Sequence, residues 1–259
     1  MMSFRRWRHG HLLRRERITN SIWAELIASV PLIARCTDVD RVKLRRLTER
    51  FLVKKEIRGA GDLEMTDPMR FLIAALACVP ILHLGLDWYA GWLSIIVYPA
   101  GFLARHEFMD EAGVIHDVVQ PLSGESWLRG PVILSWEDVV NDTLGASGRN
   151  VVIHELAHKL DALNGDVNGM PPLHRGMDRA AWTAVFVQAF DDLQKRLSEG
   201  KSLPIDGYGA EAPGEFFAVA SETFFIKPVA LYNAYPEVYR QLCRFYRQDP
   251  ADWVCSREG

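Results

Sequence analysis

The residues in this 259-residue chain whose types and spacing most directly suggest chemistry are His154-Glu155-Leu156-Ala157-His158. Residues four apart on a helix stack on one face, so the two imidazoles can serve one cation. A zinc ion accepts neutral imidazole nitrogen at about 2.0–2.1 Å and takes a tetrahedral set, with one position left for water in a hydrolytic site. Glu155 lies one residue past the first histidine, so its carboxylate falls beside the metal. There it can take a proton from a water whose pKa the metal lowers to roughly 7. With 8 His and 16 Glu in the chain, about 0.015 such patterns are expected by chance, so the motif is specific. Val151-Val152-Ile153 ahead of it gives the helix an apolar side, and Ala157 is small enough to pack closely under a metal. Two unrelated structural histidines on an amphipathic helix would leave the acid between them unexplained.

A third protein ligand is needed. Extension of the motif by a further Gly and His would require Gly at 161 and His at 164, where this chain has Asp161 and Asn164. That metzincin solution is excluded. The gluzincin solution takes a Glu from a later helix, and Gly214-Glu215-Phe216-Phe217-Ala218-Val219-Ala220-Ser221-Glu222 offers two, on one face. The spacing leaves Glu215 and Glu222 as alternatives: one binds the metal, the other holds a ligand histidine by its free N–H. Asp161 follows His158 by three residues. It is either another acceptor for a ligand histidine or an ordinary helix-surface acid or C-terminal turn former.

Elements must position these residues. Ile22, Trp23, Leu26, Ile27 and Val30 recur at helical spacing up to Pro31. Thr37 can cap a second helix with Val42, Leu44, Leu47, Phe51 and Leu52 on its apolar face. Asp67-Pro68 starts a third, and the apolar run Phe71–Leu82 that follows reads as a buried helix, too short to span a bilayer. Ser94–Tyr98, Gly113–Gln120 and Pro131–Trp136 read as strands, with Ser123-Gly124 as a turn. Helices are expected over 150–163, 179–197, 214–225 and 236–248, with Gly165 and Gly200 at helix ends. The fold class is therefore α+β, mainly helical, with a small sheet of about three strands. The expected organisation is a basic arm over 1–19 and one domain over 20–259. Within the domain, 20–90 is a helical part and 91–250 holds the sheet and metal-binding helices.

Hydrophobic residues make up 49 % and charged residues 24 % of the chain, which argues against overall disorder. The formal net charge of -3 gives no reason to expect direct nucleic-acid binding. Cys36, Cys78, Cys243 and Cys255 are too scattered for a disulfide framework or thiolate site and suit a reducing compartment. With no secretory signal and no membrane span, a cytoplasmic location is expected. Six arginines between Arg5 and Arg17, with Glu16 the only acid among them, make the arm basic. It reads as a solvated, disordered tail, with contact to an acidic partner or membrane surface as the alternative. Ser94–Tyr98 offers a strand to which an extended peptide could pair.

His154 to Asp166, reading His-Glu-Leu-Ala-His-Lys-Leu-Asp-Ala-Leu-Asn-Gly-Asp, resembles the metal motif of the Mlc titration factor A family. These are bacterial zinc peptidases whose catalytic core is similar to the anthrax lethal factor protease domain. Tyr208 with Pro213-Gly214-Glu215 looks like that family's second motif. Val114-Ile115-His116, Ser123-Gly124-Glu125-Ser126-Trp127 and Gly130-Pro131 look like a third, and the likeness runs from about Trp23 to Pro250.

The resemblance implies a zincin-like peptidase in which His154, His158 and Glu215 bind zinc and Glu155 is the general base. It leaves Glu222 as support for a ligand and makes Tyr208 an oxyanion donor, where the residues alone suggest a loop or core aromatic. It implies that His116 can occupy the metal's fourth position in a resting form, although a lone histidine in a strand is ordinarily structural. His83, His106 and His174 have no partner at useful spacing. An aminopeptidase-like activity on peptide substrates is implied. So is a second role, as a protein that titrates a transcriptional repressor of the Mlc type.

Overall fold

The computed structural model describes residues 18–100, 102–109, 115–122, 124–126, 130–143 and 148–255, and no side chain between 102 and 126 or beyond Trp253. The basic arm at 5–17 lies outside them. Helix α1 (Asn20–Ser29) is capped by Thr19 and leads into α2 (Pro31–Arg35). In α3 (Asp38–Lys54) the Thr37 hydroxyl accepts from Asp40 N–H at 3.1 Å, as the sequence predicts. Leu44, Leu47 and Phe51 are buried there, but Val42 is 53 % exposed. Two residues from Leu44, it lies about 200° round the helix, on the far face. Helix α4 (Asp67–Cys78) is capped by Thr66 rather than Asp67: the Thr66 hydroxyl accepts from Met69 N–H, and Asp67 occupies the first turn.

The small sheet is present as three parallel strands with a short fourth strand at one edge. Its order is β1 (Glu56–Gly59), β2 (Ser94–Tyr98), β6 (Val132–Ser135), β5 (Gly124–Ser126). The first three run parallel, Ile57 opposite Ile95 and Val97 opposite Leu134, and β5 pairs antiparallel with β6. Between β2 and β5 lies a separate antiparallel pair, β3 (Phe102–Met109) and β4 (Ile115–Leu122). Ser94–Tyr98 is thus flanked on both sides by strands, so its backbone groups are already paired and it cannot take an added peptide strand. The outer strands of this four-stranded sheet are β1 and β5.

Helix α5 (Trp136–Thr143) follows β6, and α6 (Val151–Asp161) carries the metal motif. After it come α7 (Arg179–Ser198), α8 (Pro213–Ile226), α9 (Pro228–Ala234), α10 (Pro236–Tyr246) and α11 (Pro250–Cys255). Gly165 and Gly200 take positive φ at helix ends, as read from the sequence. Among the described residues no helix is long and apolar enough to cross a membrane. Cys36, Cys78 and Cys243 are free thiols.

Helix α6 is a core helix rather than a surface one. Val152, Ile153, Leu156, Ala157 and Leu160 are all fully buried, and α6 packs on α8, α4, β5 and β6. Helix α8 is buried along nearly its whole length and meets aromatic neighbours from α7 and α10, such as Trp182 at 6.1 Å and Phe245 at 6.0 Å from Phe217. Its C-terminal carbonyls of Phe225 and Ile226 accept from Arg35, which ties the N-terminal helices to it. Replacing Leu156 with Ala should cost about 2–5 kcal/mol of unfolding free energy in urea denaturation, because α6 has no solvent face to relax toward.

Candidate metal centre

Helical pitch brings His154 and His158 together: their rings stand 4.7 Å apart at 82°, with the Nε2 atoms 3.1 Å apart. Glu215, in the first turn of α8, brings Oε2 to 3.1 Å from His154 Nε2 and 3.3 Å from His158 Nε2. The three ligating atoms lie within 4.8 Å of one another. A proton on an imidazole or a cation among them offsets the repulsion of their lone pairs. Atoms bound to a tetrahedral ion at about 2.0–2.1 Å are separated by about 3.3 Å, so the observed triangle fits a metal ion.

Glu215, not Glu222, stands with the two imidazoles. Glu222 lies behind His154, with Oε1 2.7 Å from Nδ1, while Glu215 meets the opposite ring nitrogen. The other oxygen of Glu222 accepts from Asn150 N–H at 2.6 Å, and the Asn150 side chain caps α6 by accepting from Ile153 N–H at 3.0 Å. One residue therefore fixes both the start of the metal helix and the carboxylate that orients its first histidine. Asn150 was legible only as a helix start; its link to Glu222 spans 72 residues and leaves no local signal.

Burial disfavours charge on His154, but the bonds to Glu215 and Glu222 outweigh it and raise the imidazole to about 10. Burial likewise works to raise Glu215, yet the two imidazoles hold it down at about 2. Glu155 goes the other way. It is 3 % exposed, its Oε2 has no partner, and burial with the nearby charges of Glu215 and Glu222 pushes it up to about 8 against the pull of His154. A carboxylate this poorly solvated favours taking up a proton.

Tyr208 lies in a short 3-10 turn, Gly207–Ala210, with its ring 5.8 Å from that of His154 and 41 % of the residue exposed. It is a rim residue beside the triangle and not a core aromatic. Asp206 accepts from Tyr208 N–H at 2.9 Å and faces Arg149 at 3.7 Å, which draws this turn toward the start of α6. Asp206 and Arg149 were not singled out by sequence, since a loop acid and a loop base carry no periodic signature. His116 is placed in β4 opposite Phe108, and its side chain lies outside the described residues. His83 and His174 have structural partners, Asp40 at 3.1 Å and the Phe245 carbonyl at 2.7 Å.

Known proteins similar to this chain point to a metallopeptidase family. The family model described as glucose-regulated metallo-peptidase M90 matches residues 4–247. The chain is 38 % identical over 230 residues to Mlc titration factor A of Klebsiella pneumoniae, covering 88 % of this chain and 86 % of that one. It is 39 % identical over 228 residues to the protein of the same name from Cronobacter sakazakii, covering 87 % and 86 %. The likeness to that from Escherichia coli O7:K1 is 37 % over 230 residues, covering 88 % and 86 %. A family model spanning nearly the whole chain and a His-His-Glu triangle fit for a metal lead to one conclusion: the chain belongs to the glucose-regulated metallo-peptidase M90 family.

Proposed function

We propose that this chain is a cytoplasmic zinc peptidase of one domain, with His154, His158 and Glu215 as the metal ligands, Glu155 as general base and Tyr208 as oxyanion donor. The observation that supports it most is the triangle of Nε2, Nε2 and Oε2 with sides of 3.1, 3.1 and 3.3 Å. Two imidazoles and one carboxylate suit zinc, whose catalytic sites combine three such ligands with an open position. Zinc in that position supplies a Lewis acid for the scissile carbonyl and acidifies a water.

The remaining steps fall to the protein. Glu155 takes the proton of the attacking water on its unpartnered oxygen and passes it to the leaving amine. Burial pushes the Tyr208 phenol well up, so it stays protonated and able to donate to the oxyanion formed as the carbonyl becomes tetrahedral. Glu222 accepts the Nδ1–H of His154 and so turns Nε2 toward the ligand position. An extended peptide pairs with the outer edge of β5, which packs directly on α6. The aminopeptidase preference, and His116 as a fourth ligand in a resting form, rest on the family resemblance. The name of the relatives, Mlc titration factor A, supports a second role in which the chain sequesters an Mlc-type repressor.

Purified protein should carry about one zinc per chain and hydrolyse peptide amides. Glu155→Gln should keep the metal and lose at least about 10²–10⁴-fold in kcat. Wild type without stoichiometric metal, or a fully active Glu155→Gln, would overturn the mechanism. The regulatory role alone predicts that repressor affinity survives Glu155→Gln and that no hydrolysis is ever detected. Tyr208→Phe should lower kcat by about 10²–10³-fold with little change in KM, in line with the loss of an oxyanion donor. Glu222→Gln should weaken zinc affinity about 10–100-fold, read by competition with a chromogenic chelator.

A further inference from the structure

The proposed chemistry uses the bond behind His154 and leaves its counterpart behind His158 unassigned. His158 Nδ1 is buried and has no partner. Three residues on, Asp161 is fully buried, with one oxygen also unpartnered. Its other oxygen accepts from Gly169 N–H at 2.7 Å. A buried carboxylate with one free oxygen is costly unless a donor is available to it. The sequence alternative of a surface acid is thereby excluded. Burial pushes Asp161 up to about 6, against the pull of the Gly169 N–H and of the nearby His158 ring.

Gly169 is itself fixed from three sides. Its carbonyl accepts from Trp182 Nε1 at 2.9 Å, its φ is +79°, and a Cβ there would stand 2.6 Å from the carbonyl oxygen of Pro213. Pro213 is the first residue of α8, two before Glu215. Next to it, Gly214 lies against Val167 so closely that a Cβ would stand 3.0 Å from the Val167 carbonyl oxygen. The segment from Ala162 to Met170 is therefore wedged between the end of α6 and the start of α8, the two helices that carry the triangle.

We propose that Asp161 is a positioning residue for the metal centre. One oxygen accepts the Nδ1–H of His158 once Nε2 faces the metal, and the other anchors Gly169 against the start of α8, so a single carboxylate sets both the tautomer of one ligand and the distance to Glu215. This rests on the reading of His154, His158 and Glu215 as zinc ligands. A histidine that binds metal through Nε2 carries its proton on Nδ1, and an acceptor there fixes the ring and raises its basicity. With Glu222 behind His154, both ligand histidines then have a carboxylate backing, one from each helix.

Asp161→Asn keeps an oxygen for Gly169 and loses the anionic acceptor, which separates the two duties. Zinc affinity and the rate of zinc release to a chelator are measured for wild type and variant, with the melting temperature of the metal-free proteins as a fold control. Affinity about 10–100-fold weaker with faster release and a melting temperature close to wild type is the expected result. Equal affinity and release in a variant that melts like wild type, or with only the melting temperature lowered, would overturn the proposal and leave Asp161 a loop anchor. Failure of wild type to bind zinc would instead overturn the metal-site reading beneath it. Should the variant not fold, nitrogen-edited spectra of zinc-loaded wild type decide the matter. A slowly exchanging proton on His158 Nδ1 is expected; a bare Nδ1, or a proton in free exchange with water, would refute it.

Discussion

Two imidazoles and a carboxylate converging on one point are the constraint on which the rest of this structure depends. Two of the three arrive together through the pitch of α6, but Glu215 stands 61 residues after His154 and must be delivered by another helix. A shift of about 1 Å between α6 and α8 would open a triangle whose sides are 3.1–3.3 Å. That precision explains why both helices are buried nearly all round and carry almost no ordinary surface residues. A site on rigid, fully packed elements holds its geometry better than one on loops.

The same packing decides how the charges behave. Glu155 is the more deeply buried of the two acids, at 3 % exposure, while the Glu215 side chain keeps 23 % and meets both imidazoles. The two imidazoles hold Glu215 down, whereas burial, helped by Glu215 and Glu222, raises Glu155 against the pull of His154. Environments that push two carboxylates apart in this way match the two duties proposed for them, holding a cation and carrying a proton. Lys159, next to His158, belongs to the frame: it is buried, donates to Gly130 at 2.9 Å and lies 6.0 Å from the Trp92 ring, which Lys55 covers at 3.9 Å. It links the metal helix to the segment entering β6.

How much of this the sequence disclosed follows from how local each interaction is. His154, Glu155 and His158 are legible because four residues of helix carry the whole pattern. Glu215 and Glu222 are legible as a pair but not as individuals, since both lie on one face and periodicity cannot say which ring nitrogen each meets. Asn150 and Asp206 act through partners 72 residues and more than 50 residues away, so nothing near them marks the role. The strand β1, Glu-Ile-Arg-Gly, has one apolar residue and no alternation to read; only pairing with β2 makes it a strand. Val42 and Asp67 show the opposite failure, residues of the right type that lie one or two positions from where the pattern needs them.

The central claim is that His154, His158 and Glu215 share one zinc ion, and X-ray absorption at the zinc edge tests it directly. Zinc-loaded protein should show four or five light-atom ligands at about 2.0–2.1 Å, with the outer-shell scattering of two imidazoles and no sulfur. A sulfur shell at about 2.3 Å, or a water-like shell without imidazole scattering, would place the metal elsewhere and contradict the account.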